Sequence, residues 1–258
     1  MRSNRSRSIQ LILAATSLVA LATGIACSAS TDSARTLFGP TTSVGAGTAR
    51  TYLTTVGSVP TEIGIVFSES ALTNLPGTLP FSEFVLDLPA GASVTPFDHA
   101  TMNWVPQGHP GMGYGVPHFD FHFYEISVAD RAAIAPSDPQ FQTKLALAPA
   151  AEFVPTGYVQ DPSGVPNMGT HWTDVAAPEK NGQPFTLTFI YGSYNGAFTF
   201  MEPMAAKSFL DTHPTVTSSV KLPARYAKPG YYPTSYTLSY DASSKEYTVS
   251  LRDFVSRN

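Results

Sequence analysis

Residues 116–124 read VPHFDFHFY, and this short stretch predicts both a β-strand and the way in which that strand packs. Successive side chains of a strand point to opposite faces, so its three phenylalanines share one face. The two histidines and the aspartate between them share the other. We expect the aromatic face to lie in the core, where each buried ring contributes about 1.5–3 kcal/mol. The polar face is then the first candidate for chemistry.

Composition extends this prediction to the whole chain of 258 residues. Charged residues make up only 13%, hydrophobic residues 43%, and the chain contains 19 Gly and 22 Pro. Such a composition favours many short strands and turns over long helices, and it excludes a coiled coil or a helical bundle. We therefore predict a mainly β protein, an antiparallel β-sandwich or a small barrel, with a few short helices.

Alternating or β-rich runs predict eight strands, and the chain shows no regular exchange of strands and helices. The runs are residues 49–56, 62–67, 84–88, 118–124, 185–191, 197–201, 235–240 and 246–251. Hairpin turns are expected at residues 192–196, which contain Asn-Gly, and at 241–244. One helix is predicted from Asp138, as N-cap, toward Leu147. No linker interrupts residues 38–258, so we expect a single β-rich domain.

The N-terminus has the pattern of an export signal. Three arginines precede an uncharged apolar run at residues 9–26, and Cys27 follows in a Gly-Ile-Ala-Cys context that resembles a bacterial lipobox. We predict a signal peptide at 1–26, lipidation of Cys27 and a Ser- and Thr-rich tether at 27–37. The product is a membrane-anchored lipoprotein of the cell envelope, or a secreted or periplasmic protein if the lipobox is not used.

Charge and cysteine content exclude several functions. The formal charge is -4 for the whole chain, and it becomes -7 once residues 1–26 are removed. No basic cluster follows the first ten residues, so nucleic acid is not an expected partner. The only cysteine belongs to the lipobox, and no Gly-x-Ser-x-Gly elbow occurs, so cysteine and serine hydrolases lack their nucleophile signatures.

The polar face of residues 118–124 has the donor types of a metal site. His118, Asp120 and His122 are spaced about 6–7 Å apart along one face of a strand. Imidazole and carboxylate groups at that spacing can converge on a divalent ion such as zinc, with Asp120 as a ligand or as the group that orients a histidine. Alternatively, the face lies at the surface, and its histidines bind each other, carboxylates or water.

Other candidates lie further along the chain. His171 follows a Gly- and Pro-rich turn and is a candidate third ligand, or a loop residue bonded to backbone. Glu202 ends an apolar strand, where it either completes the metal site or caps the strand before a helix at Pro203. His109 lies in a Gly- and Pro-rich loop able to bend over the site. His99 and His213 are expected to be structural or at the surface.

Several segments resemble a bacterial family of uncharacterised secreted or envelope proteins. The matching motifs are residues 44–50, 108–110, 117–124, 169–172, 191–196 and 202–204. One member of that family belongs to an extracytoplasmic-stress sigma-factor regulon. The resemblance spans about residues 38–251 and implies export and a homo-oligomer, but no reaction. A weaker likeness to the cupin barrel depends on the Asp120-x-His122 spacing and on the turn before His171, and it implies only the fold.

Three functions are consistent with these observations. The first is an envelope enzyme in which His118, His122 and His171 hold zinc or another divalent ion, with Glu202 or Asp120 completing the site. The second is a metal- or ligand-binding lipoprotein without turnover. The third is a structural or oligomeric stress protein whose histidines are hydrogen-bonded. The sequence favours metal binding and leaves catalysis open.

Overall fold

The computed structural model describes residues 33–78, 81–109 and 113–257. The predicted signal peptide, the lipobox with Cys27 and the first part of the predicted tether lie outside these residues. Within the described part, no helix has the length and apolar character that crossing a membrane requires.

The described chain is mainly β, as predicted, with three short helices and four 3-10 turns. Its strands are β1 (Ala34–Phe38), β2 (Thr42–Val44), β3 (Gly47–Val56), β4 (Val59–Ser68), β5 (Ser82–Asp87), β6 (His99–Val105), β7 (His118–Tyr124), β8 (Tyr158–Val165), β9 (Gly169–Asp174), β10 (Leu187–Tyr194), β11 (Ala197–Ala206), β12 (Val216–Ser219), β13 (Gly230–Tyr232), β14 (Ser235–Asp241), β15 (Glu246–Arg252) and β16 (Val255–Arg257). The helices are α1 (Val128–Ala132), α2 (Phe141–Ala146) and α3 (Lys207–Leu210). The 3-10 turns are Glu69–Leu72, Ala92–Val94, Ala151–Phe153 and Pro178–Asn181.

Two seven-stranded antiparallel sheets form a sandwich. The first has the order β1-β3-β4-β15-β14-β12, with β2 also paired to β3, and the second has the order β5-β6-β7-β11-β10-β9-β8. Strands β13 and β16 form a separate pair. Over the described ranges neither large sheet closes on itself. The sandwich prediction is therefore confirmed, and the alternative of a small closed barrel is wrong.

The core between the sheets is aromatic, as the alternation in β7 predicts. Phe119, Phe121 and Phe123 are fully buried on the inner face of the second sheet. Phe67, from β4 of the first sheet, stacks on Phe121 with ring centroids 5.5 Å apart. It also stacks on Tyr247 of β15 at 5.2 Å. Offset stacking stabilises the core beyond the burial of the rings, and the Phe67–Phe121 contact joins the two sheets.

All eight predicted strands are present, and two turns follow their predicted chemistry. Asn195 and Gly196 have φ values of 52° and 79° and connect β10 to β11, as a tight hairpin requires. Strands that lack strong alternation, such as β8 and β12, were not predicted. Strand β1 begins at Ala34 and pairs with β3, inside the segment predicted as tether.

Two boundaries at the predicted helices are wrong. Helix α2 begins at Phe141 with Gln140 as its N-cap residue, because a hydrogen-bonded turn from Asp138 precedes it. Strand β11 continues through Glu202 and Pro203 to Ala206, so Glu202 lies inside a strand and no helix begins at Pro203. Pro203 lies opposite Phe189 of β10, so strand pairing overrides the local tendency of proline to begin a helix.

Candidate metal centre

The outer face of the second sheet is buried, although its residues are polar. Strand β7 lies between β6 and β11, and every residue of β7 is buried. Side chains from the connecting segments cover this face, among them Tyr114, Met168 and Phe185. The alternative in which this polar face lies at the surface is therefore wrong. Buried histidines and carboxylates need partners, because each unpaired polar group is costly in an apolar environment.

Six side chains on this face form two groups that could each hold a metal ion. We call them the His122 group (His122, His171 and Glu202) and the His109 group (His109, His118 and Asp120). Within each group the candidate ligand atoms lie within 4.8 Å of one another. All six residues were predicted as site residues, but the sequence analysis treated them as one set. The structure instead places His118 and His122 in different groups, because they lie four positions apart along the strand.

Three neighbouring strands position the His122 group. His122 projects from β7, and Glu202 lies beside it on β11, which pairs with β7 through Met201 and Phe123. The two side chains approach to 3.4 Å, between His122 Nε2 and Glu202 Oε2. His171 comes from β9, and its Nε2 is 3.9 Å from the same Oε2. Tetrahedral zinc ligands with bonds of about 2.0–2.2 Å are about 3.3–3.6 Å apart, so the carboxylate is close to ligand spacing from both imidazoles.

Gly192 makes the approach of these strands feasible. It is paired with His171 on one side and with Phe200 on the other. A Cβ atom at this position would lie 2.1 Å from the ring of Phe200. That ring makes an edge contact with His122 at a centroid distance of 4.7 Å. The glycine therefore leaves space for the aromatic ring that supports the histidine.

The His122 group has buried polar atoms without a partner among the described residues. These atoms are His122 Nε2, His171 Nδ1 and Glu202 Oε2. On the far side of its ring, His122 Nδ1 is 3.3 Å from Thr101 Oγ1, which leaves Nε2 directed at the group. Such unpaired atoms are rare in folded proteins, and a cation bound between His122 Nε2 and Glu202 Oε2 would satisfy both of them.

Burial keeps these groups neutral in the absence of a cation. It lowers the pKa of His122 to about 3. Burial, together with the nearby His109, lowers the pKa of His171 to about 4. Burial also raises the pKa of Glu202 well above its usual value, with the charge of Asp120 acting in the same direction. Neutral imidazole is the form that binds metal, and a cation would favour the ionised carboxylate.

The His109 group surrounds Asp120 with two imidazoles. His118 Nδ1 donates a hydrogen bond of 2.6 Å to the carbonyl oxygen of Val116, which directs its Nε2 toward Asp120 Oδ1 at 3.1 Å. His109 Nε2 is 3.3 Å from Asp120 Oδ2. Burial alone would raise the pKa of Asp120, but His118 and His109 together hold it below its usual range. Burial likewise opposes protonation of His118, but the charge of Asp120 and the hydrogen bonds of His118 to Asp120 and Val116 together outweigh it and raise the pKa of His118.

One cavity connects the two groups. It has a volume of about 180 Å³, and its walls include His109 and Asp120 from one group and His171 and Glu202 from the other. The remaining wall is mostly apolar. No lysine or arginine of the described chain lines it. The cavity is thus lined by two carboxyl groups, and the side chains in its wall that can carry a positive charge are histidines.

The other two histidines lie outside both groups. His99 is buried, donates a hydrogen bond of 3.0 Å from Nδ1 to Asp98 Oδ1, and stacks on Tyr124. His213 is exposed and contacts Glu69 at 3.1 Å. Among the residues that support the site, sequence reasoning missed Thr101 and Gly192. The alternation of polar residues in β6 was a signal for Thr101, whereas only the pairing of three strands reveals the role of Gly192.

The fold and the site define a class: an antiparallel β-sandwich with two buried His and carboxylate groups, either of which could hold a metal ion. A family model described as TTHB210-like, Hypothetical protein TTHB210, matches residues 59–104. This match covers β4 to β6 and includes none of the six residues of the two groups. No curated protein and no solved structure matches the chain.

Proposed function

We propose that this protein binds a divalent transition-metal ion through His122, His171 and Glu202. The observation that carries the proposal is the approach of two unpaired buried atoms, His122 Nε2 and Glu202 Oε2, to 3.4 Å. His171 Nε2 lies 3.9 Å from the same Glu202 oxygen and supplies the third ligand atom. Two imidazoles and one carboxylate are the protein ligands of many catalytic zinc sites. The same set also suits ferrous iron. We assign zinc as the ion, and metal analysis distinguishes the two.

Three protein ligands leave a fourth tetrahedral position for water or a substrate. An open position separates catalytic zinc sites from structural ones, which are closed by four protein ligands. His171 and Glu202 both line the cavity, so the fourth position is expected to face it. A metal-bound water there would have a pKa lowered toward about 7. This arrangement is compatible with turnover, and the proposal itself is limited to ion binding.

The test is metal analysis of the purified protein after growth in metal-supplemented medium. We expect at least one equivalent of zinc in the wild type and the loss of one equivalent in His171→Ala. His213→Ala is the matched control, because His213 is exposed and remote from both groups. A wild type without stoichiometric metal would overturn the proposal.

We also propose that the domain is exported and anchored to the membrane by a lipid on Cys27. The support is the sequence of residues 1–27 alone. Fractionation of the bacterial host tests it: the wild type is expected in the membrane fraction, and Cys27→Ser in the soluble envelope fraction. Wild type in the soluble fraction would favour a secreted or periplasmic protein.

A second candidate function is a structural envelope protein, in keeping with the resemblance to a stress-regulated family. The observation that favours it is the His109 group, in which both imidazoles already contact Asp120. On this view the protein forms a homo-oligomer and needs no ion. A monomeric mass in light scattering would count against it, as would a large loss of stability on metal removal.

A further inference from the structure

The His109 group has the geometry of a second ion site that opens into the same cavity as the first. Its three candidate ligand atoms are contributed by His118 and Asp120 on β7 and by His109 on the loop before it. The Asp120 oxygens lie 3.1 Å from His118 Nε2 and 3.3 Å from His109 Nε2. Both distances are close to the ligand spacing of about 3.3 Å that a tetrahedral ion imposes.

The tautomer of His118 also suits a metal ligand. Since a carbonyl oxygen only accepts hydrogen bonds, His118 Nδ1 must carry the proton that it shares with Val116. His118 Nε2 and Asp120 Oδ1 lie 3.1 Å apart, and neither atom has another hydrogen-bond partner in the described chain. An ion bound by both atoms would take the place of the proton on Nε2, which leaves its lone pair free to act as a ligand. A backbone carbonyl that orients a ligating histidine in this way is a common supporting contact in metal sites.

We propose that the protein holds two divalent ions in one cavity, the second bound by His109, His118 and Asp120, and that the ion pair binds a small oxyanion. The inference rests on the proposed function, because the first ion is the one assigned to the His122 group. Each group supplies three ligands, so each ion keeps an open position. Residues of both groups line the cavity, so both open positions are expected to face the same space.

Charge decides the class of ligand. Two divalent ions bring four positive charges, and Asp120 and Glu202 offset two of them. No lysine or arginine lines the cavity in the described part of the chain, and the histidines are neutral as ligands. The centre therefore keeps an excess positive charge in a cavity of about 180 Å³ with a largely apolar wall. Oxyanions such as phosphate bridge paired ions in this way, and sites of this kind act on phosphate esters.

Access to the second ion is through His109. Its side chain is 31% exposed, whereas those of His118 and Asp120 are almost completely buried. His109 is therefore the ligand whose removal perturbs the fold least. His109→Ala and Asp120→Asn are the informative variants, and His213→Ala serves again as the matched control.

The experiment measures zinc stoichiometry and phosphate binding on the full chain. We expect two equivalents of zinc in the wild type and His213→Ala, and one in His109→Ala, Asp120→Asn and His171→Ala. Titration of inorganic phosphate into the zinc-loaded, desalted protein should detect binding by calorimetry. His109→Ala should weaken that binding by at least about tenfold, which is about 1.4 kcal/mol.

The outcomes separate this inference from the proposed function. One equivalent of zinc in the wild type, unchanged in His109→Ala but lost in His171→Ala, overturns the second ion and leaves the first. No zinc in the wild type overturns both. Two equivalents without phosphate binding, or with equal phosphate binding in His109→Ala, overturn the oxyanion assignment. Circular dichroism of each variant checks that a lost equivalent is not a loss of fold.

Discussion

We expect the Glu202→Met variant to be more stable than wild type without metal and less stable than wild type with metal. Glu202 is 1% exposed, and its Oε2 atom has no hydrogen-bond partner in the described chain. An unsatisfied buried polar group costs about 1–3 kcal/mol, and methionine fills a similar volume without a polar atom. The metal-free variant is therefore expected to be more stable than the metal-free wild type by about 1–3 kcal/mol.

Metal changes this order because it binds only the folded wild type well. At a free ion concentration of about 1,000 times Kd, binding contributes about 4 kcal/mol to the free energy of unfolding. The variant lacks one ligand of the His122 group and should gain much less. Metal-loaded wild type is therefore expected to be the more stable of the two, by about 1–3 kcal/mol.

Urea unfolding followed by tryptophan fluorescence measures both orders, once with a chelator and once with excess zinc. Met204→Leu is the matched control, since Met204 lies two residues away on the same strand face and lines the same cavity. Its cost should stay below about 1.5 kcal/mol in either condition, with the zinc response retained. A metal-free Glu202→Met that is less stable than wild type by more than about 1 kcal/mol would refute the reasoning. It would show that Glu202 is a satisfied structural partner.

Three further predictions concern the core and the edges of the site. Burial raises the pKa of the Glu125 carboxyl group to about 7 from its usual 4.5. The folded protein therefore holds the carboxyl proton more tightly than the unfolded chain does, and it loses stability as the pH rises from about 4.5 to 7. Glu125→Gln should therefore raise the free energy of unfolding by up to about 3 kcal/mol at pH 8 and change it little at pH 4.5. Equal effects at the two pH values in urea unfolding would contradict this prediction. Phe121→Ala should lower the free energy of unfolding by about 3–5 kcal/mol in the same assay, because it leaves a cavity opposite Phe67; a loss below about 1 kcal/mol would argue against the described core. Gly192→Ala should displace the ring of Phe200, cost about 1–3 kcal/mol and weaken zinc binding, and unchanged zinc affinity would separate that ring from the site.

The motifs of the sequence named the six residues of the two groups as candidates but did not predict the buried surroundings in which they lie. The alternation in β7 placed three aromatic rings in the core because a strand has a side-chain period of two, which needs no tertiary information. The position of Glu202 was misjudged, since Pro203 is a local signal for a helix start whereas pairing with β10 extends the strand. Helix α2 likewise begins after a turn at Asp138 that competes with capping. Local signals fail where strand pairing or a competing turn supplies the backbone hydrogen bonds.

By itself, the sequence determined the β class, the core-facing phenylalanines of β7 and the residue types that could bind a metal. These properties depend on composition and on the geometry of a single strand. Only the tertiary structure decided that the polar face is buried, and that the six candidate ligands form two groups around one cavity. The reason is physical: β9 and β11, which carry His171 and Glu202, are distant from β7 in the chain, and the order of the strands in the sheet sets which side chains meet. Burying unpaired donors and acceptors is costly, so the unpaired polar atoms around the cavity indicate a binding site.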